Sequence, residues 1–216
     1  MSVIKICGLR TVEAAVVAAE AGADYLGFIF APSKRQVSAS EVGHIIAGVR
    51  AAGFDTPTVG VFVEPDRVQL QHDIAISGID LVQLSGDESA DDYRDVEIPL
   101  IRALAAGAQG DDAAALSNRF DQWAFAQHCM LDAHDPSARG GTGKLANWPL
   151  CTELAAQRKI ILAGGLHPEN VQEAIATVRP YGVDVASGVE TDGVKDENKI
   201  RSFIASARNG FAALAS

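Results

Sequence analysis

The sequence is short of cysteine, of linker-like segments and of positive charge, and each shortage removes a class of protein. Its three cysteines, Cys7, Cys129 and Cys151, fall in no CxxC or metal-ligand spacing, and an odd number argues against a closed disulfide framework. No charged leader, apolar h-region or spanning segment opens the chain, which runs from MSVIKIC straight into a strand. The expected setting is a reducing, cytoplasmic one. A net charge of −10 opposes non-specific binding to nucleic acid or an anionic membrane, so neither is expected as a partner. An anionic ligand then needs a local positive pocket, which singles out Lys5, Arg35 and any Gly-rich turn. No Pro-, Ser- or charge-rich stretch divides the 216 residues, and 48% hydrophobic content supports a sizeable core. A single domain over 1–216 is the expectation.

What the chain does contain is a recurring alternation. Short β-rich runs lie at Val3–Cys7, Tyr25–Phe30, Thr58–Val63, Asp80–Leu84, Pro99–Ala103, Cys129–Asp132, Lys159–Ala163 and Val183–Ala186, with helical patterns between them. Val12, Ala15, Val16 and Ala19 keep the spacing of a helix packed on a sheet, as do Val42, Ile45, Ile46 and Val49 behind a Ser38/Glu41 capping box. Val171, Ala174, Ile175 and Val178 repeat it after Pro168, and Ile200, Phe203, Ile204 and Ala207 repeat it again. The helices expected from Asp66 and Ser89 are less cleanly patterned. Eight βα units imply a parallel sheet with right-handed crossovers, best closed as a single-domain (β/α)₈ TIM barrel of the α/β class. A doubly wound open sheet competes, but no GxGxxG follows the first strand.

Active sites of such barrels lie at the carboxyl ends of the strands. Cys7 closes the first run in KICG and Asp132 closes the sixth, which makes them a candidate base and acid pair for proton transfer. The plainer reading of a free cysteine is a small buried hydrophobe. AGGL (163–166) and ASGVE (186–190) end the seventh and eighth strands, where a phosphate commonly binds, so backbone N–H groups around Gly164, Gly165 and Gly188 are candidates to hold one. GGTGK (140–144) is not a nucleotide P-loop, because Ala138 stands at the first glycine and Leu145 at the Ser/Thr; a loop closing over substrate is the better reading. His128, Asp132 and His134 share a strand face but spread along it, and no second strand offers a third ligand, so no metal is expected.

Taken in order, KICGLR, GFIFAPSKRQV, VGVFVE, VQLSGDE, LDAHDPSARGGTGK, LAGGLHPENV and GVDVASGVETDGVKDENKI resemble the phosphoribosylanthranilate isomerases of tryptophan biosynthesis, from residue 4 to about 200. Little of the segment 105–127 takes part. The resemblance implies a barrel that performs an Amadori rearrangement of a phosphosugar, N-(5-phosphoribosyl)anthranilate, with no cofactor. It implies Cys7 as general base, Asp132 as general acid, Arg35 as ligand of the anthranilate carboxylate, and the backbones of Gly164, Gly165, Ser187 and Gly188 as the phosphate site. Ser85 and His134 stand where family members often carry His and Lys.

The chemistry fits those roles. Opening a furanose needs a proton on its ring oxygen, which suits a carboxylic acid kept protonated by burial and a nearby anion, and the resulting imine acidifies the next carbon for a thiolate to deprotonate. An ordinary thiol, with a pKa of about 8.5, is only slightly ionised at neutral pH, so a positive group is expected near Cys7. Lys5 shares the parity of Cys7, and barrel closure sets the first strand beside the eighth, where Asp184 lies. An internal Lys5–Asp184 ion pair beneath the site is therefore predicted, its positive end favouring the thiolate. The alternative for Lys5 is an outward, snorkelling side chain. Two other functions stay open. One is the related histidine-pathway isomerase, although this chain has Cys7 rather than Asp at the first strand and shows no half-chain repeat. The other is a non-catalytic barrel that only binds sugar phosphates. The sequence leaves monomer and homodimer equally open.

Overall fold

The computed structural model describes residues 2–106, 112–132 and 147–215. Its strands are short runs of apolar and β-branched residues that are buried on both faces, as parallel strands covered by helices must be. They are β1 (Val3–Ile6), β2 (Tyr25–Ile29), β3 (Thr58–Phe62), β4 (Leu81–Leu84), β5 (Leu100–Ala105), β6 (His128–Asp132), β7 (Ile160–Ala163) and β8 (Gly182–Val185). Each pairs in parallel with the next, and β8 pairs with β1, so the sheet is a closed barrel. All eight expected strands are present, with ends shifted by one or two residues.

Period-two alternation divides the core in two. Val3, Tyr25, Val59, Leu81, Ile101, Met130 and Ile161 fill the barrel interior, while Ile4, Ile6, Leu26 and Phe28 pack outward against the helices. The parity that turns Val3 inward also turns Lys5 and Cys7 inward.

The outer layer comprises α1 (Val12–Glu20), α2 (Ala39–Ala51), α3 (Arg67–Ser77), α4 (Ala113–Asp121), α5 (Trp148–Ala155), α6 (Val171–Val178) and α7 (Glu197–Ala215). The capping box at α2 is present, with the Glu41 carboxylate accepting from Ser38 N at 2.7 Å and Ser38 Oγ accepting from Glu41 N at 3.4 Å. Ile200, Phe203, Ile204 and Ala207 form the buried stripe of α7. Pro168 sits in the turn before α6, whose N-cap is Asn170. One expected helix is absent. The segment from Ser89 makes only a 3₁₀ turn, Ala90–Tyr93, because Ala90 and Tyr93 alone are buried and no apolar stripe continues for a helix to dock. Between β8 and α7 the chain forms a hairpin not anticipated from the sequence, β9 (Glu190–Thr191) and β10 (Val194–Lys195).

Candidate active site

At the carboxyl end of β1, the register sets Lys5 opposite Asp184 on β8. Lys5 is fully buried and its Nζ donates to Asp184 Oδ1 at 2.8 Å, the ion pair expected from parity and closure. Burial opposes the ammonium charge, yet Asp184 and the neighbouring Cys7 outweigh it and push Lys5 up to about 12. Cys7 lies above this pair, its N–H donating to Val185 O at 2.8 Å. Across from both is Gly27 on β2, where an added Cβ would come within 2.9 Å of Cys7 Sγ and 3.1 Å of Lys5 Cε. Only a residue without a side chain leaves the thiol this space.

Cys7 itself departs from expectation. Burial pushes the thiol up, and Asp184 adds to it; Lys5 and Lys195 stand near and pull the other way, but they do not outweigh burial.

Above β1 and β8 lies a second charged group. Arg35, in the loop after β2, holds Glu190 through Nε at 2.5 Å and Nη2 at 2.8 Å. The buried Lys195 donates to the same carboxylate at 3.1 Å and to Ala186 O at 2.6 Å. Arg35 first, and then Lys195, holds the Glu190 carboxyl at about 2, against the effect of burial.

A cleft of about 230 Å³ opens beside these groups, lined by Asp132, Ala163, Gly164, Gly165, Leu166, Asp184, Val185, Ala186 and Ser187. Gly164 and Gly165 have φ of 91° and 67°, which aim their backbone away from a continuing strand. A Cβ on Gly188 would sit 1.8 Å from Leu166 O, so the loops after β7 and β8 close on each other only because that residue is glycine. Among the described residues, no turn or loop hydrogen bond uses the N–H of Gly164, Gly165, Ser187 or Gly188. The cleft is thus lined both by backbone donors and by a carboxyl group, Asp132, whose strand neighbour Ala163 directly precedes Gly164.

Residues 4–206 match the family model of N-(5'-phosphoribosyl)anthranilate isomerase. The chain belongs to this isomerase family. A relative from Roseiflexus castenholzii with that name is 46% identical over 211 residues, covering 95% of this chain and 98% of the relative. The crystal structure of phosphoribosyl anthranilate isomerase from Thermotoga maritima superposes with a TM-score of 0.82 at 33% identity, covering 97% of this chain and all of that one. A further structure of the isomerase, in complex with reduced 1-(o-carboxyphenylamino)-1-deoxyribulose 5-phosphate, has a TM-score of 0.79 at 31% identity over 97% of this chain and 100% of that one.

Against the isomerase family pattern, the expected residues gather at one end of the barrel. Asp132, Gly164, Gly165, Asp184 and Ser187 line the cleft, and Cys7 and Arg35 adjoin it from β1 and the loop after β2. Asp132 is exposed at the rim, so the burial expected of a proton donor is not found. His128 is at the other end of β6, roughly 13 Å away by strand rise, with its Nε2 2.9 Å from Tyr25 Oη. Among the described residues no cluster of His, Cys, Asp and Glu is placed to hold a metal, and no helix is long and apolar enough to cross a membrane. His134 and the loop 140–144 lie outside the described residues. Ser85 lines a separate rim depression with Glu64, Gly86 and Arg119.

Four further residues brace this end of the barrel. Glu190 and Lys195 carry a hairpin signal in the sequence, Asp192-Gly193, whose φ values of 52° and 79° suit a type I′ turn. Glu88 and Arg102 form a buried ion pair, and Glu88 also accepts from Glu64 N at 2.9 Å and from Gly86 N, which ties together the rims of β3, β4 and β5. Nothing in the local sequence marks that pair.

Proposed function

We propose that this chain is an isomerase of tryptophan biosynthesis, converting N-(5-phosphoribosyl)anthranilate to 1-(2-carboxyphenylamino)-1-deoxyribulose 5-phosphate by general acid–base catalysis. Within the family, the observation that carries this reading is the placement of Cys7 and Asp132 at strand ends on the same mouth as the Gly164–Ser187 cleft. In the proposed sequence, the phosphate sits on the N–H groups of Gly164, Gly165, Ser187 and Gly188, and Arg35 receives the anthranilate carboxylate. Asp132 gives its proton to the furanose oxygen as the ring C–O bond breaks and the anilino nitrogen lone pair forms a C=N⁺ bond. Cys7, as thiolate, then takes the proton from the adjacent carbon, and those electrons form the enolamine and neutralise the nitrogen. The cationic imine adds to Lys5 and Lys195 at the step where a thiolate is needed, countering the burial that pushes the thiol up.

Product fluorescence after mixing with the substrate tests the reading. Cys7→Ser and Asp132→Asn are each expected to lower kcat by about 10²–10⁴-fold while KM stays near the wild-type value, because each removes a proton transfer made only in the transition state. Near-normal turnover by either variant removes that residue from its role. No turnover by the wild type would make the barrel a binding protein.

A further inference from the structure

A guanidinium has two donor edges able to grip a carboxylate: a side edge of Nε and Nη2, and an end edge of Nη1 and Nη2. Glu190 occupies the side edge of Arg35, at 2.5 and 2.8 Å. Among the described residues, Nη1 donates to no acceptor. The stem of Arg35 lies across Gly8, where a Cβ would meet its Cδ at 2.6 Å, so the free edge belongs to the same mouth as Cys7.

Glu190 is in turn held from three sides. It stands directly across the hairpin from Lys195, which bonds both its carboxylate and Ala186 O, at the start of the loop that carries Ser187 and Gly188. Lys199 donates to its backbone oxygen at 2.8 Å. Thr191, the next residue, donates to Asp196, which also accepts from Asn198 N and Lys199 N at the start of α7. The side chain of Glu190 is 6% exposed, and so is that of Lys195. A carboxylate so buried beside an anion-binding mouth repels the anion unless it is neutralised, and Lys195 supplies the charge that leaves Arg35, Glu190 and Lys195 with one net positive charge.

We infer that Glu190 is a positioning residue: it grips Arg35 by its side edge so that the end edge faces the substrate's carboxylate, while Lys195 cancels the charge of Glu190. This rests on the proposed function and deepens it, since it assigns the specificity for a ring carboxylate to a pair of residues that themselves touch no substrate. A competing arrangement, in which the substrate carboxylate displaces Glu190, predicts the opposite response to removing it.

The test compares two probes on the full chain: reduced 1-(o-carboxyphenylamino)-1-deoxyribulose 5-phosphate and the same molecule without the ring carboxylate. For Glu190→Ala and Glu190→Gln, the preference for the carboxylated probe is expected to shrink about tenfold, with binding of the other probe within about twofold of wild type. KM is expected to rise by a similar factor while kcat is held. Glu190→Gln retains an acceptor for one arm of Arg35 and carries the result if Glu190→Ala fails to fold. Equal weakening of both probes would make Glu190 merely structural, an unchanged preference would leave Arg35 oriented without it, and a stronger preference would show that Glu190 competes with the ligand; each overturns the inference. If the wild type turns over substrate while the variants keep its preference, this inference alone falls. A wild type with neither turnover nor preference brings down the functional reading and this inference together.

Discussion

Replacing Lys5 by Met removes one charge from beneath Cys7 and leaves Asp184 without its partner. The two atoms are 2.8 Å apart, which at an effective dielectric constant of about 20 is an attraction of about 6 kcal/mol, much of it offset by taking both ions out of water. What a single substitution exposes is the cost of an unpaired buried carboxylate. Lys5→Met is therefore expected to lower unfolding stability by about 3–5 kcal/mol, and the Lys5→Met/Asp184→Asn double variant to recover more than half, since it buries no unpaired charge. The thiol gives an independent sign. Lys5 pulls Cys7 down and Asp184 pushes it up, so the pKa of Cys7 is expected to rise in Lys5→Met, fall in Asp184→Asn and lie between them in the double variant. Urea unfolding measures the first effect. The second is read from alkylation rate against pH, followed by mass on the Cys7 peptide so that Cys129 and Cys151 do not contribute. A stability loss below about 1 kcal/mol, with no recovery in the double variant, would refute the energetic argument. An unmoved Cys7 profile would refute the electrostatic one even with the ion pair in place.

Glu190 links the hairpin to acid stability. Its carboxyl is held at about 2 against a usual 4.5, a share of at most about 3 kcal/mol before solvent screening, present above pH 4.5 and lost as pH falls through 2. The stability gap between wild type and Glu190→Gln is thus expected to narrow over that window in acid-titrated denaturation curves, and a constant gap would reject the assignment. Gly27→Ala brings a Cβ within 2.9 Å of the Cys7 sulfur and must shift it, so kcat is expected to fall about 100-fold with KM little changed; full activity would mean that the thiol position does not matter.

The sequence alone was enough for the barrel and for the end of it where the candidate residues gather. Parallel strands buried on both faces read as apolar runs, and helices on their outer side keep a 3.6-residue stripe, so both signals are local to the segment that makes them. Cys7, Asp132 and the Gly164 and Gly188 turns were visible because each lies at or just beyond the end of such a run. Even Lys5–Asp184, 179 residues apart, followed from parity and the closure of the first strand on the eighth. Tertiary structure decided the rest. The grip of Glu190 on Arg35 joins residues 155 apart through a hairpin whose Asp-Gly turn gives its shape but not its partner. The exposure of Asp132 and the upward shift of Cys7 depend on how deeply each group is packed, and the missing helix after Ser89 on whether anything is there for it to dock against. Periodicity is a property of neighbouring residues, whereas charge energies depend on distances between remote side chains and on the solvent that packing excludes.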